Sequence, residues 1–155
     1  MSATEGPTEA PGEGAAPSLV LDTNVVLAWL LFDDPRCAGL AEAISSRRLR
    51  WIASPAMRDE LEHVLGRGLG SAGRRRTASA VLDDWERWAA MIQPCDQPSP
   101  WSLRCTDSDD QKFIDLACQV RASALISRDR ALLRLARRAA LRGLAIVPTL
   151  EALPR

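Results

Sequence analysis

Apolar and polar positions fall in blocks along the chain, and the blocks switch between strand-like runs and helix-like spacing. The first block is Leu19-Val20-Leu21, which runs into Asp22-Thr23-Asn24, with Val25, Val26, Trp29 and Leu30 following at helical intervals. A short apolar run bounded by polar residues and followed by a 3.6-residue period predicts a buried strand, then a helix over about 24–31. Phe32-Asp33-Asp34-Pro35 reads as a breaker. The pattern next predicts a helix over 38–46 and a strand over 50–53. A further helix starts at Ser54-Pro55, with a hydroxyl cap and a proline in its first turn, and runs to about residue 65.

A longer helical pattern spans 74–91, with Val81, Leu82, Trp85, Trp88 and Ala89 on one side. Met91-Ile92-Gln93 reads as a third strand, and 94–109 as a proline-rich irregular segment. A helix over 110–120, a strand over 124–127, a helix over 131–141, a strand over 144–147 and a short closing helix over 148–153 complete the series. Strands alternating with helices predict an α/β three-layer sandwich around a mostly parallel sheet. Residues 1–17 offer Gly, Pro, Ala, Thr and Glu and little to bury, so a disordered leader is expected there, with one domain over 18–155.

Composition narrows the chemistry. No apolar run nears the roughly 18 residues of a membrane span, and no basic start followed by an apolar core opens the chain. Cys37, Cys95, Cys105 and Cys118 form no CxxC pair and read as reduced thiols, which suits a cytoplasmic location. His63 is the only histidine, so catalytic triads and histidine-rich metal sites lack material. The chemistry must rest on carboxylates. The 20 bases and 20 acids balance, but Glu5, Glu9 and Glu13 lie in the leader, leaving the domain mildly basic. All the bases but Lys112 are arginine. A mild excess of this kind suits a polyanionic partner.

Four places put a carboxylate where a common site can form. Asp22 follows the first strand and Asp129 the strand over 124–127, so both share one edge of a parallel sheet if those strands are neighbours. That edge is where open α/β folds place ligands. The third place is Asp107-Ser108-Asp109-Asp110, at the start of a helix. Glu60 is the fourth: Met57, Leu61, Val64 and Leu65 form an apolar stripe, Glu60 sits at its edge, and Asp59 and Glu62 point away. The same wheel places Asp115 outside, as a solvated acid. Converging carboxylates repel one another, and a divalent cation removes that conflict. Oxygen-only sites suit Mg²⁺ or Mn²⁺.

Plainer roles stand beside these. Asp22 can serve as the N-cap of the helix that follows, and Asp107 and Asp109 read as caps that hold the loop for Asp110. Ser127 fits a turn as well as an active-site hydroxyl. The groups Arg47/Arg48/Arg50, Arg74–Arg76 and Arg137/Arg138/Arg142 are solvated faces or grips for the phosphates of a polyanionic partner.

The motifs together resemble the PIN-domain family of metal-dependent ribonucleases, which includes many toxins of bacterial toxin–antitoxin pairs. Leu21-Asp22-Thr23-Asn24 is similar to the opening motif and Glu60-Leu61 to the second acid. The segment Asp107 to Phe113 is similar to the third acid of one subgroup, and Leu125-Ile126-Ser127-Arg128-Asp129 through Leu133 to the fourth. The resemblance implies a PIN-like, Rossmann-like fold, with Asp22, Glu60, Asp110 and Asp129 as catalytic, metal-binding acids. Asp107 is the second choice for the third acid. By the same resemblance Thr23 or Asn24, and Ser127, would orient ligands or water. It further implies Mg²⁺ or Mn²⁺, an RNA substrate, a cognate antitoxin and a homodimer. The fourth motif often has glycine before its aspartate, where Arg128 stands here.

The alternative is a PIN-like module that binds nucleic acid or protein without cutting. Other aspartate-after-strand proteins fit less well. A haloacid-dehalogenase-like phosphatase wants a second aspartate where Asn24 stands, and a receiver domain wants a lysine after a late strand, whereas Lys112 lies in a helix.

Overall fold

In a computed structural model, residues 16–68, 76–96 and 100–154 are described. The expected leader falls, over residues 1–15, outside the described residues. Five strands form the centre: β1 (Ser18–Leu21), β2 (Arg50–Ala53), β3 (Ala89–Met91), β4 (Ala124–Ile126) and β5 (Ala145–Val147). Their order is β3-β2-β1-β4-β5, and every pairing is parallel. Helices flank this sheet as a three-layer α/β sandwich, as the alternation of elements predicts.

The central strand explains the opening apolar run. Leu19, Val20 and Leu21 are all buried, because β1 has a strand on each side and helices over both faces. Leu19 sits level with Trp51 of β2 and with Ala124 of β4. The chain moves outward from β1 through β2 to β3, then returns to β4 on the other side. The switch point between β1 and β4 is therefore in the middle of the sheet, and a crevice opens there at the strands' carboxyl ends.

Among the described residues, seven α-helices connect the strands: α1 (Thr23–Leu30), α2 (Ala38–Ser45), α3 (Pro55–Gly66), α4 (Ala78–Trp88), α5 (Gln111–Val120), α6 (Arg130–Leu133) and α7 (Ala136–Ala140). Met57, Leu61 and Leu65 of α3 are buried, as are Phe113, Ile114, Leu116 and Ala117 of α5. Trp51 anchors one side of the core. Its ring centroid lies 5.6 Å from Trp29 and 5.8 Å, edge-on, from Trp85, the tilted packing that aromatic quadrupoles favour.

Several boundaries differ from the pattern-based expectation, among them the start of α4 at Ala78 and the closing helix, which is a 3-10 turn over Leu150–Ala152. α4 stops at Trp88 and β3 occupies 89–91 where 91–93 was expected, because Ala89 and Ala90 pair with Trp51 and Ile52 of the neighbouring strand. The last long helix is two short ones, broken at 134–135, so that Leu132, Leu135 and Ala139 all reach the core. Asp34-Pro35 is more than a breaker: Asp34 caps a 3-10 turn over Pro35–Cys37. Of the triple arginine, Arg74 and Arg75 lie outside the described residues. Arg76 pairs with Asp84 ahead of α4 and reaches the Leu30 carbonyl at 3.4 Å. No disulfide joins the four cysteines. No helix among the described residues is long and apolar enough to cross a membrane.

Candidate metal centre

The carboxyl ends of β1 and β4 carry the site, and their local sequence explains how. Asp22 ends β1 in extended backbone and caps α1: its Oδ1 accepts from the Asn24 N–H at 3.2 Å. Its Oδ2 accepts from the Ser127 hydroxyl at 2.6 Å, across from the end of β4. Ser127 is fully buried and its Oγ also accepts the Asp129 N–H at 3.0 Å. Asp129 in turn caps α6, accepting the Ala131 N–H at 2.8 Å on Oδ1. Capping and site-building are one arrangement here. The expectation that Asp22 can cap the helix that follows holds.

From the other side comes the segment ahead of α5. Asp107 accepts the Asp109 N–H at 3.0 Å and caps a 3-10 turn over Ser108–Asp110, which delivers Asp110 directly into α5. Carboxylate oxygens of Asp107, Asp110 and Asp129 all lie within 4.8 Å of one another. Asp110, the first choice for the third acid, and Asp107, the second, both have an oxygen in this group. Asp109 presents its backbone to its neighbours, donating its N–H to Asp107 and accepting from Lys112 on its carbonyl.

The electrostatics are those of an uncompensated acid cluster. Asp110 Oδ2 is buried without a hydrogen-bond partner. Burial first, then the charges of Asp129, Asp22 and Asp107, push the Asp110 carboxyl from 3.8 up to about 7. Asp22 is also raised by burial, with Asp129 and Glu60 adding to the effect and the bonds from Ser127 and Asn24 opposing it. An orphaned buried oxygen among three carboxylates fits a hard divalent cation, which would satisfy that atom and remove the repulsion. Oxygen donors alone give no reason for a softer ion.

Glu60 is placed less directly. It lies on α3 near enough for its charge to act on Asp22. It does not join the group of three, and its Oε1 pairs instead with the Lys112 ammonium at 2.5 Å. Thr23 is buried beside Asp22, whereas Asn24 is exposed and contributes its backbone N–H. Asp115 is exposed, as the helical wheel predicts, and accepts from Gln111 at 3.0 Å. Arg128, which stands where similar motifs often have glycine, turns to Asp34 at 3.6 Å and belongs to the start of the 3-10 turn after α1. Sequence reasoning missed Lys112. A lysine three residues after Asp109 in the first turn of a helix can reach back to that carbonyl, but its pairing with Glu60 has no local signal.

Residues 18–131 match a family model described as a PIN domain. No curated protein matches the chain. Among solved structures, the chain is similar to the crystal structure of VapBC2 from Rickettsia felis bound to a DNA fragment from their promoter. The TM-score is 0.59, at 12% identity, over 83% of this chain and 96% of that chain. At that identity the likeness concerns the fold.

Proposed function

The chain belongs to the PIN-domain family, and from that membership we propose that it is a Mg²⁺- or Mn²⁺-dependent endoribonuclease, the toxin of a type II toxin–antitoxin pair. The single observation that carries the reading is the orphaned Asp110 Oδ2 among the carboxylates of Asp107 and Asp129. In this reading Asp22, Glu60, Asp110 and Asp129 are the catalytic acids, and the nuclease domain spans 18–155. The solved relative is a VapBC2 assembly on promoter DNA, which supports an antitoxin partner for a chain of this fold. Cytoplasmic location follows from such a role, and a homodimer remains part of the proposal.

Asp110, Asp129 and Asp107 would hold the ion, with Asp22, bonded to Ser127, and Glu60 as the further acids of the site. When bound, the metal lowers the pKa of a coordinated water and neutralises charge on a phosphodiester under attack. The protein's own part is positional. Ser127 sets Asp22 and the Asp129 backbone at once, so two acids from neighbouring strands keep a constant separation. Thr23 is buried at the first turn of α1, beside Asp22.

The test is cleavage of single-stranded and structured RNA by purified protein with Mg²⁺, Mn²⁺ or EDTA, beside Asp22→Asn and Asp129→Asn. Metal-dependent cutting lost in both variants is the expected result. RNA that is bound but never cut under any metal would favour the binding module instead.

A further inference from the structure

Lys112, the only lysine in the chain, stands at the site and has no role in holding a cation. It lies in the first turn of α5, two residues after Asp110. Its ammonium is 2.5 Å from Glu60 Oε1, donates to the Asp109 carbonyl, and sits 4.8 Å from the centroid of the Phe113 ring. Three contacts on different sides fix it in place. An ammonium has three donors, and two are accounted for. The side chain is still 25% exposed.

That exposure opens onto a cavity of about 710 Å³ alongside α5. Its lining includes Ser54 and Lys112 at the end near the acids, then Asp115 and Gln119 on successive turns, then Arg121 at the helix's end. Volumes of this order hold small ligands, and Lys112 joins this cavity to the acids, since it lines the one and pairs with Glu60 of the other. A polyanionic strand entering the crevice meets Asp22, Glu60, Asp107, Asp110 and Asp129. A bound cation offsets the charge at the reacting phosphate, but the next phosphate along needs a cation of its own. Arg128 is turned to Asp34. Lys112 is in position, and lysine binds phosphate as a point charge. Its tethering by Glu60 and Asp109 lowers the entropy lost on binding.

We propose that Lys112 is a substrate-binding residue whose ammonium takes the phosphate next to the scissile bond and leads the strand into the cavity beside α5. Glu60, besides its place among the catalytic acids, anchors that lysine. The inference rests on the nuclease reading above and assigns the substrate's path through it.

A plain structural role for Lys112, as partner of Glu60 only, predicts different behaviour. The test compares Asp129→Asn with Asp129→Asn/Lys112→Met and Asp129→Asn/Lys112→Arg, so that RNA stays intact with Mg²⁺ present. Binding of a short single-stranded RNA is followed by fluorescence anisotropy between about 50 and 200 mM salt, where phosphate contacts show clearly. Lys112→Met is expected to weaken binding several-fold for any sequence and to reduce the slope of log K against log salt by about 0.7, the value of one single-strand phosphate contact. Lys112→Arg restores the slope. By calorimetry, the single variant Lys112→Met binds Mn²⁺ at least as tightly as the native chain, since a cation beside the acids has gone. An unchanged slope in Lys112→Met, an equal loss in Met and Arg, or weakened Mn²⁺ binding overturns the assignment. If RNA is neither cut by the native chain nor bound by Asp129→Asn, the nuclease reading itself fails. RNA cut and bound with an unchanged slope removes only the role of Lys112.

Discussion

Replacing Asp110 by asparagine should raise the melting temperature of the metal-free protein at pH 8, and raise it less at pH 5. The carboxyl ionises near 3.8 in an unfolded chain but is pushed up to about 7 in the fold, mainly by burial and then by Asp129, Asp22 and Asp107. Between those values the folded protein holds a proton that the unfolded chain has lost. Stability therefore falls as pH rises through that window: the penalty is absent below 3.8 and complete above about 7. At about 1.4 kcal/mol per unit, the full displacement sets a ceiling of about 4 kcal/mol. The group is only partly buried, and solvent screening reduces this to roughly 1–2 kcal/mol. For a domain of this size that is a rise of about 2–8 °C. At pH 5 only about a third of the penalty has built up. Thermal melts in EDTA at the two pH values read the difference. A lower melting temperature in Asp110→Asn at pH 8, or a gap that does not change with pH, would refute the reasoning. Saturating Mn²⁺ should reverse the order, since an ion at a hundred times its Kd adds about 2.7 kcal/mol to whichever protein binds it.

The remaining expectations are simpler. Ser127→Ala removes the donor to Asp22 and the acceptor of the Asp129 N–H inside a fully buried site. It should cost about 1.5–3 kcal/mol in urea unfolding and weaken Mn²⁺ binding by about 10–100-fold in a calorimetric titration. Trp51→Ala, at 1% exposure between two other tryptophans, should cost about 3–5 kcal/mol in the same unfolding assay. Leu141→Asn, at 85% exposure, should stay within about 0.5 kcal/mol of the native protein.

Much of the site was legible because its residues obey local rules. An apolar run that stops at an aspartate marks the end of a buried strand, and both Asp22 and Asp129 follow such runs. The sheet then had only to place β1 beside β4 for the two acids to meet. Asp110 was legible by its position directly ahead of an apolar helix, with Asp107 as the alternative and a cap. What escaped depends on contacts between distant segments. The Glu60–Lys112 pair joins α3 to α5, and no periodicity within either helix records the partner. Ala89 and Ala90 favour helix by propensity, yet pairing with β2 overrides it. The break between α6 and α7 likewise answers to the core, which needs Leu132, Leu135 and Ala139 at once. The consequence of Arg128 in place of glycine was invisible until Asp34 was brought to it from the far end of α1.

The most direct measurement is anomalous scattering from a crystal of the native protein grown with Mn²⁺. The account predicts a peak at bonding distance from carboxylate oxygens of Asp110 and Asp129, with Asp107 or Asp22 completing the protein donors, and no peak there in Asp110→Asn. Ordered density for all four acids with no peak between them at saturating Mn²⁺ would contradict it.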